Sequence, residues 1–413
     1  MNAIQLRQII LDAAEHVPFY RRHWKQAGVD LTRLSSAVHL EFLPVVRKAD
    51  LLACPPEERL DQRFLGQQMR GDSTSGSTGV PFEVRVDKRT LRRRRTRFLR
   101  ALCDVGYVPG ERLMLVTDPP FPAGAAFLRW TYADLRLGEE AVFSKFAKAK
   151  PNVLYGPLSS LVLLARRLLS TPSVKWRPRV VVSTAEQLTD AKRALLESAF
   201  SARVSDFYGM TELGLVAYSK PGLPGYQVLT NDFHVELLPA TPGKRGDLER
   251  LVVTDLAAGA MPLIRFDTGD LVRRPVVPEQ APFGSGAIPA PRGMPFATAT
   301  LARSLEAAPV IGIMGRQADC LKLADGVWLS PYEVTLALDR VDGIRQYNVV
   351  QRDDLSVDLY VAPGETAAPS VLDRARQVLA VACGGLARIN VHLRAEEPMH
   401  FDRKQRVVCS QAA

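Results

Sequence analysis

The sequence predicts an α/β protein in two unequal parts, and three observations predict it. In the first half, short apolar or β-branched runs that end in polar loops alternate with helix-patterned stretches. That is how parallel strands covered by helices read. Further on, strand-like runs are joined by a Pro/Gly turn, which indicates a more antiparallel region. A proline- and glycine-rich stretch from Pro275 to Arg292 then reads as a loop or linker, and a compact αβ pattern resumes after Gly315. The expected organisation is a large N-terminal domain of layered α/β sheets over residues 1–314 and a small α+β domain over 315–413.

The elements follow in chain order. Met1 to Arg22 reads as one amphipathic helix, with Ile4, Leu6, Ile9, Ile10, Leu11 and Ala13 interspersed with polar residues. It lacks the apolar core and cleavage site of a signal peptide, and no run of eighteen apolar residues follows anywhere. The expectation is a cytoplasmic protein with no membrane span. Phe82 to Val86 alternates as a strand. From Lys88 to Arg100 the chain is dense in arginine, and Leu91, Phe98, Leu99 and Leu102 fall near one helical stripe. Most of the arginines should then point outward, either as a solvated face or for phosphate recognition. Arg112 to Thr117 and Arg179 to Ser183 read as strands, with a leucine-patterned helix from Ser159 to Ser170 between them. Phe233 to Leu238 and Arg250 to Thr254 are the strands flanking the turn from Thr241 to Gly246.

Composition narrows the function. The chain has 413 residues, 46% hydrophobic and 24% charged, which is ordinary for a globular protein able to bury a large core. A net charge of +10 suits an anionic ligand: nucleic acid, a membrane surface or a polyphosphate. Aromatic residues are not interleaved with the arginine run as base stacking requires, so nucleic acid is disfavoured. The five cysteines are far apart with no C-x-x-C pair, which fits reduced thiols rather than a disulfide framework or a zinc knot. The six histidines are scattered, and His234 alternates with apolar neighbours as a structural strand residue. No G-x-S-x-G supports a hydrolase triad.

The densest chemical signal is Ser73-Thr74-Ser75-Gly76-Ser77-Thr78-Gly79-Val80-Pro81. Glycines let backbone approach a polyphosphate, and backbone N–H groups and hydroxyls donate to its oxygens. It is not a Walker loop, since G-x-x-x-x-G-K-[ST] is absent. A flexible linker would have a similar composition, but Pro81 closes the stretch and a strand follows at once.

With four further motifs in order, that loop resembles the adenylate-forming superfamily of acyl-CoA ligases, luciferases and peptide-synthetase adenylation domains. Asp206-Phe207-Tyr208-Gly209-Met210-Thr211-Glu212 is similar to the family's Y-G-x-T-E, and Arg265 to Asp270 to its Y-R-T-G-D. Gly315-Arg316-Gln317-Ala318-Asp319 resembles the G-R-x-D-D hinge, and Asp325 to Val334 the segment after it. The phenylacetate–CoA ligase branch is indicated by His16 to Arg22, Leu43-Pro44-Val45 with Lys48 to Leu51, and Gly106 to Arg112. Pro151 to Gly156 and Ser183 to Leu188 extend that set.

The resemblance implies roles. Ser73, Thr74, Ser75, Gly76, Ser77, Thr78 and Gly79 would hold the β- and γ-phosphates of ATP, and Glu212, beside Thr211, would bind Mg²⁺. Tyr208 would stack on adenine, with Asp206 and Gly209 of the same motif beside the nucleotide. Asp270 would accept from the ribose hydroxyls, Arg316 would reach ribose or phosphate, and Glu186 would lie near nucleotide or metal. Judged alone, Asp270 also reads as a turn aspartate and Glu186 as a helix-start carboxylate.

The family's C-terminal catalytic lysine maps to Lys404. Counting back from Arg406 by G-K-x-x-R spacing lands instead on Arg403. Ala318 replaces the first hinge aspartate, and the stretch before Gly315 carries no cysteine, so no metal site is carried over there. The expectation is an acid–thiol ligase that forms acyl-AMP from an aromatic or hydrophobic acid, ATP and Mg²⁺ and acylates coenzyme A. Residues Pro119 to Phe121, Ser183 to Ala185 and Phe207 to Met210 would wall the acid. The alternatives are transfer to a carrier-protein phosphopantetheine thiol or to an amine, and a non-catalytic nucleotide or nucleic-acid binder. A homodimer is left open.

Overall fold

The structure is a computed structural model that describes residues 3–33, 40–74, 82–117, 129–240, 248–257, 259–274, 310–364, 370–395 and 407–412. Residues 75–81, the turn from Thr241 to Gly246, the linker and Pro119 to Phe121 lie outside the described residues, as do Arg403, Lys404 and Arg406.

The N-terminal stretch forms two helices rather than one, α1 (Ala3–His16) and α2 (Pro18–Gln26). Pro18 explains the correction. It pushes Val17 out of the helical region to φ −113°, ψ 106°, and it opens the next helix at a position that needs no N–H. Tyr20 is buried between the two halves of the chain, donating to the Pro262 carbonyl and accepting from the Ile264 amide. A short helix α3 (Lys48–Leu52) follows. Its approach is fixed by Val46, which bridges Phe266 in parallel.

β1 (Arg70–Thr74) and β2 (Phe82–Val86) pair antiparallel, with Thr74 opposite Phe82 at the end from which residues 75–81 spring. Asp87 then caps α4 (Lys88–Asp104) by accepting from the amides of Arg89 and Thr90.

β3 (Leu113–Thr117), β4 (Trp130–Asp134), β5 (Val153–Pro157), β6 (Val180–Thr184) and β7 (Arg203–Met210) lie parallel. Between them run α5 (Gly138–Ala149), α6 (Leu158–Leu169) and α7 (Asp190–Phe200). The strands alternate between two cores. Val153, Val180, Val182 and Phe207 join the core under α4, while Leu154, Val181 and Val204 join the one under α5, α6 and α7. Covering on both faces is why these strands read as unbroken apolar runs.

At β7 the sense reverses. β8 (Gly214–Ser219), β9 (Tyr226–Val228), β10 (Phe233–Pro239), β11 (Glu249–Asp255), β12 (Phe266–Arg273) and β13 (Val310–Arg316) extend the sheet with antiparallel neighbours. Among the described residues the sheet holds eleven strands, in the order β10-β11-β12-β13-β9-β8-β7-β6-β5-β3-β4.

Beyond β13, β14 (Leu321–Lys322) and β15 (Trp328–Leu329) form a small ladder. A four-stranded sheet of β16 (Ile344–Gln351), β17 (Val357–Pro363), β18 (Ile389–Leu393) and β19 (Val408–Ser410) carries α8 (Pro331–Leu338) and α9 (Val371–Ala382) over a core of its own. Ser330 and Glu333 close a capping box at the start of α8. The five cysteines form no disulfide, and three of them, Cys54, Cys320 and Cys383, are buried.

Candidate active site

A cavity of about 480 Å³ opens where the C-terminal ends of β6 and β7 meet β9, β12, β13 and α8. Ligands of α/β sheets gather at such strand ends and switch points. From the expected nucleotide set, Asp206, Tyr208, Gly209, Thr211 and Glu212 line it along β7 and the turn after it. Glu186 enters from the loop after β6, Asp270 from β12 and Arg316 from β13. Four motifs spread over 131 positions of sequence thus converge on one space.

Local geometry accounts for each placement. Gly209 sits where a Cβ would meet the Gly214 carbonyl oxygen at 2.7 Å, so a side chain would part β7 from β8. Ala185 holds φ +72° at the cavity wall, a conformation costly for a residue with a Cβ. Asp270 stands opposite Arg316 in the β12–β13 ladder, their side chains 3.9 Å apart. The Tyr208 hydroxyl donates to Asp270 Oδ2 at 2.5 Å. Burial and the adjacent Asp270 hold that phenol well above its ordinary pKa, so it remains a donor.

Asp206 is buried beneath the cavity and accepts from Ser183 Oγ at 2.5 Å and from the Tyr226 hydroxyl at 2.6 Å. Burial pushes its carboxyl up to about 6, against the pull of those two donors. Because the folded pKa exceeds the unfolded value, the stability it contributes is present below the unfolded pKa and is lost as pH rises to about 6. The stability of the wild type relative to Asp206→Asn should therefore fall by about 3 kcal/mol between roughly pH 4 and 6.5. Urea midpoints measured across that range check this, and a pH-independent difference would contradict it. Glu186 accepts from Ser159 at the start of α6 at 2.7 Å.

Glu212 occupies the turn between β7 and β8, its side chain only 10% exposed and 3.5 Å from Lys48 Nζ. Lys48 also lies over the Phe82 ring, 5.3 Å from the centroid. One lysine therefore joins the acidic turn to the base of the β1–β2 hairpin that bears the Ser/Gly/Thr loop. Ser73 is exposed at that hairpin and Thr74 ends β1, while Ser75, Gly76, Ser77, Thr78 and Gly79 lie outside the described residues. Lys404 also lies outside them, but Val407 and Val408 line the cavity. Sequence reasoning assigned no role to Lys48, Gln187, Lys192 or Tyr226, all of which line the site. Lys48 stands at a helix start following an extended segment, a pattern shared with many surface lysines.

The arginine-rich helix departs from expectation. Arg97 is fully buried and Arg94 partly so, rather than turned outward. Both point at the backbone of the turn that carries Glu212. Arg94 donates to the carbonyls of Thr211 and Glu212, and Arg97 to those of Leu213 and Leu215. Arg92 and Arg95 keep the exposed orientation.

The C-terminal part meets the body through Thr189 and Lys192, which contact Asp339, through Arg273, which pairs with Glu333 at 3.3 Å, and through an apolar cluster of Leu271, Met314 and Cys320. Within the body, Gln187 donates to the Ile313 carbonyl. Among the described residues, no helix is long and apolar enough to cross a membrane, and no three His, Cys, Asp or Glu side chains gather as a metal cluster.

No protein-family model matches the chain. Two sequence relatives are phenylacetate–coenzyme A ligases. The Thermus thermophilus protein is 26% identical over 291 residues, 65% of this chain and 63% of its own length. The Escherichia coli protein is 25% identical over 288 residues, 65% of each chain. The chain thus spans a little under two thirds of the length of these curated relatives. Among solved structures, 2-hydroxyisobutyryl-CoA ligase in the postadenylation state superposes with a TM-score of 0.74 at 20% identity, covering 99% of this chain and 89% of that one. An anthranilate CoA ligase with anthranoyl-AMP gives 0.55 at 15% identity over 81% of this chain and 65% of that one. The motif resemblance to phenylacetate–CoA ligases is borne out in sequence, and the α/β fold is that of adenylate-forming CoA ligases.

Proposed function

We propose that this chain, built on the adenylate-forming CoA-ligase fold, activates a carboxylic acid with Mg·ATP and passes the acyl group to the thiol of coenzyme A. The observation that carries the reading is the convergence of Glu186, Tyr208, Glu212, Asp270 and Arg316, five separately placed polar groups, on one cavity. The acid is aromatic or otherwise hydrophobic. The sequence relatives are named for phenylacetate, and Phe207 and Met210 border the same cavity.

The chemistry needs a poor acyl donor turned into a good one. A carboxylate oxygen bonds to the α-phosphorus of ATP, the bond from that phosphorus to the bridging oxygen breaks, and pyrophosphate departs with its electron pair. The protein's work is positioning and charge neutralisation. The Tyr208 ring offers adenine a face, and its hydroxyl orients Asp270 toward the ribose. Glu212 is a hard oxygen ligand beside the place where the Ser/Gly/Thr loop begins, and Lys48 adds a point charge there. One carboxylate suits Mg²⁺, which keeps water and substrate phosphates as its other ligands. The thiol, giving up its proton to solvent, then bonds through sulfur to the acyl carbon, the bond from that carbon to the AMP oxygen breaks, and AMP departs with its electron pair.

Residues 1–314 act as the body and 315–413 as a lid turning about Gly315 to Asp319. The separate apolar core of the C-terminal residues, built from Leu321 to Val408, supports that reading. The strand pairing runs on through Arg316, two residues past that division, so the turning point lies at its end, where Ala318 absorbs the backbone change.

Acid-dependent exchange of labelled pyrophosphate into ATP, screened over aryl, arylacetic, fatty and amino acids, tests the first step. Incubation of the active acid with CoA, a holo carrier protein or an amine tests the second. Exchange with no acid in the panel would defeat the reading. Acylation of the carrier or amine but not CoA would reassign the acceptor.

A further inference from the structure

The acidic turn is a three-residue hairpin connection, Thr211-Glu212-Leu213, between β7 and β8. Such a turn has carbonyls that no ladder satisfies, and buried ones need donors. Here the donors come from two arginines three positions apart on α4, hence on one helical face. Arg94 Nη1 reaches the Thr211 carbonyl at 3.1 Å and Nη2 the Glu212 carbonyl at 2.5 Å. Arg97 Nη1 reaches Leu213 at 3.0 Å and Leu215 at 3.3 Å. The turn also rests on the Arg94 stem. Gly214 has φ +73°, and a Cβ there would meet Arg94 Cγ and Cδ at 3.4 Å.

The two arginines are held in turn. Arg97 lies 3.5 Å from Asp232 and 3.9 Å from Asp255, with its guanidinium over the Phe233 ring at 4.2 Å. Arg94 feels Asp255, Asp72 and Glu212 as opposing charges, although burial pulls its pKa down; a guanidinium stays charged regardless. Asp72 belongs to β1, the strand that leads into the Ser/Gly/Thr loop. Arg94 therefore sits directly behind the turn that carries Glu212.

We infer that Arg94 is a positioning residue for the metal-binding carboxylate: its forked guanidinium, braced by Arg97, sets the Thr211–Glu212 backbone so that Glu212 faces Mg·ATP. The inference rests on the nucleotide reading above, and it predicts a division between ligands. Mg·ATP needs Glu212 and its metal; AMP, which has neither β- nor γ-phosphate, needs only the Tyr208 and Asp270 end.

The test uses full-length wild type, Arg94→Met and Arg94→Lys, with equilibrium binding of Mg·ATP and of AMP and deuterium uptake by the peptide over 209–216. Arg94→Met should weaken Mg·ATP binding about tenfold, leave AMP binding within twofold and raise uptake in that peptide. Arg94→Lys, which keeps the charge but loses the fork, should fall between. Equal losses for both nucleotides, or unchanged Mg·ATP binding, would overturn the inference. If Arg94→Met does not fold, the Lys variant decides by the same ratio. A wild type that binds neither nucleotide would sink the nucleotide reading itself, and the inference with it.

Discussion

Glu212→Ala should lower acid-dependent pyrophosphate exchange by about two to three orders of magnitude at saturating acid. The turn backbone is held by Arg94 and Arg97 rather than by the Glu212 side chain, so the fold should survive the change. What is lost is the carboxylate proposed to hold the metal, which Lys48 approaches at 3.5 Å. Glu212→Gln keeps the shape and removes the charge, and should be nearly as impaired. Exchange rates titrated with Mg²⁺, beside circular dichroism melts, check both. A Glu212→Ala enzyme within fivefold of wild type at limiting Mg²⁺ would remove the residue from the metal site.

The second large effect belongs to the C-terminal lysine. Lys404→Ala is expected to slow adenylation about a hundredfold while ATP and acid still bind, because a compact ammonium at the reacting phosphate acts on the step more than on affinity. Arg403→Ala should remain within a few-fold of wild type. Val407, which lines the cavity, follows Lys404 by three positions and Arg403 by four in the sequence. Single-turnover adenylation rates for the two variants decide between the registers. A dead Arg403→Ala beside a near-normal Lys404→Ala would assign the role to arginine, whose fork is not equivalent to a lysine's point charge.

The site was legible where chemistry and geometry occupy adjacent positions. Tyr208 to Glu212 is a strand end and its turn, and all five residues line the cavity. Asp270 and Arg316 were legible for the same reason, each beside a glycine on its strand. The strands β3 and β6 also read correctly, because two buried faces leave few polar residues to break the pattern. Misreadings arose where long-range contacts outweighed local pattern. Arg94 bonds to a carbonyl 117 positions away, and nothing in a helical stripe tells a buried arginine from a solvated one. The N-terminal pair of helices differs from the expectation for another reason: the apolar pattern from Ile4 to Ala13 describes α1 alone, and Pro18 starts a separate helix. Lys48 was invisible in its role, since its meeting with Glu212 depends on Val46 pairing with Phe266.

The reversal at β7 has one more consequence. This strand bonds a parallel neighbour along one edge and an antiparallel one along the other. Its residues alternate between Asp206 and Tyr208 on the polar side and Phe207 against Phe98 and Tyr218 on the other. Inserting or deleting a single residue between Val204 and Tyr208 would exchange those sides wholesale, burying an aspartate among phenyl rings. The count of residues in this segment is accordingly a harder constraint than the identity of most of them. Homologous chains should vary freely in the lengths of their surface connections while never gaining or losing a position here.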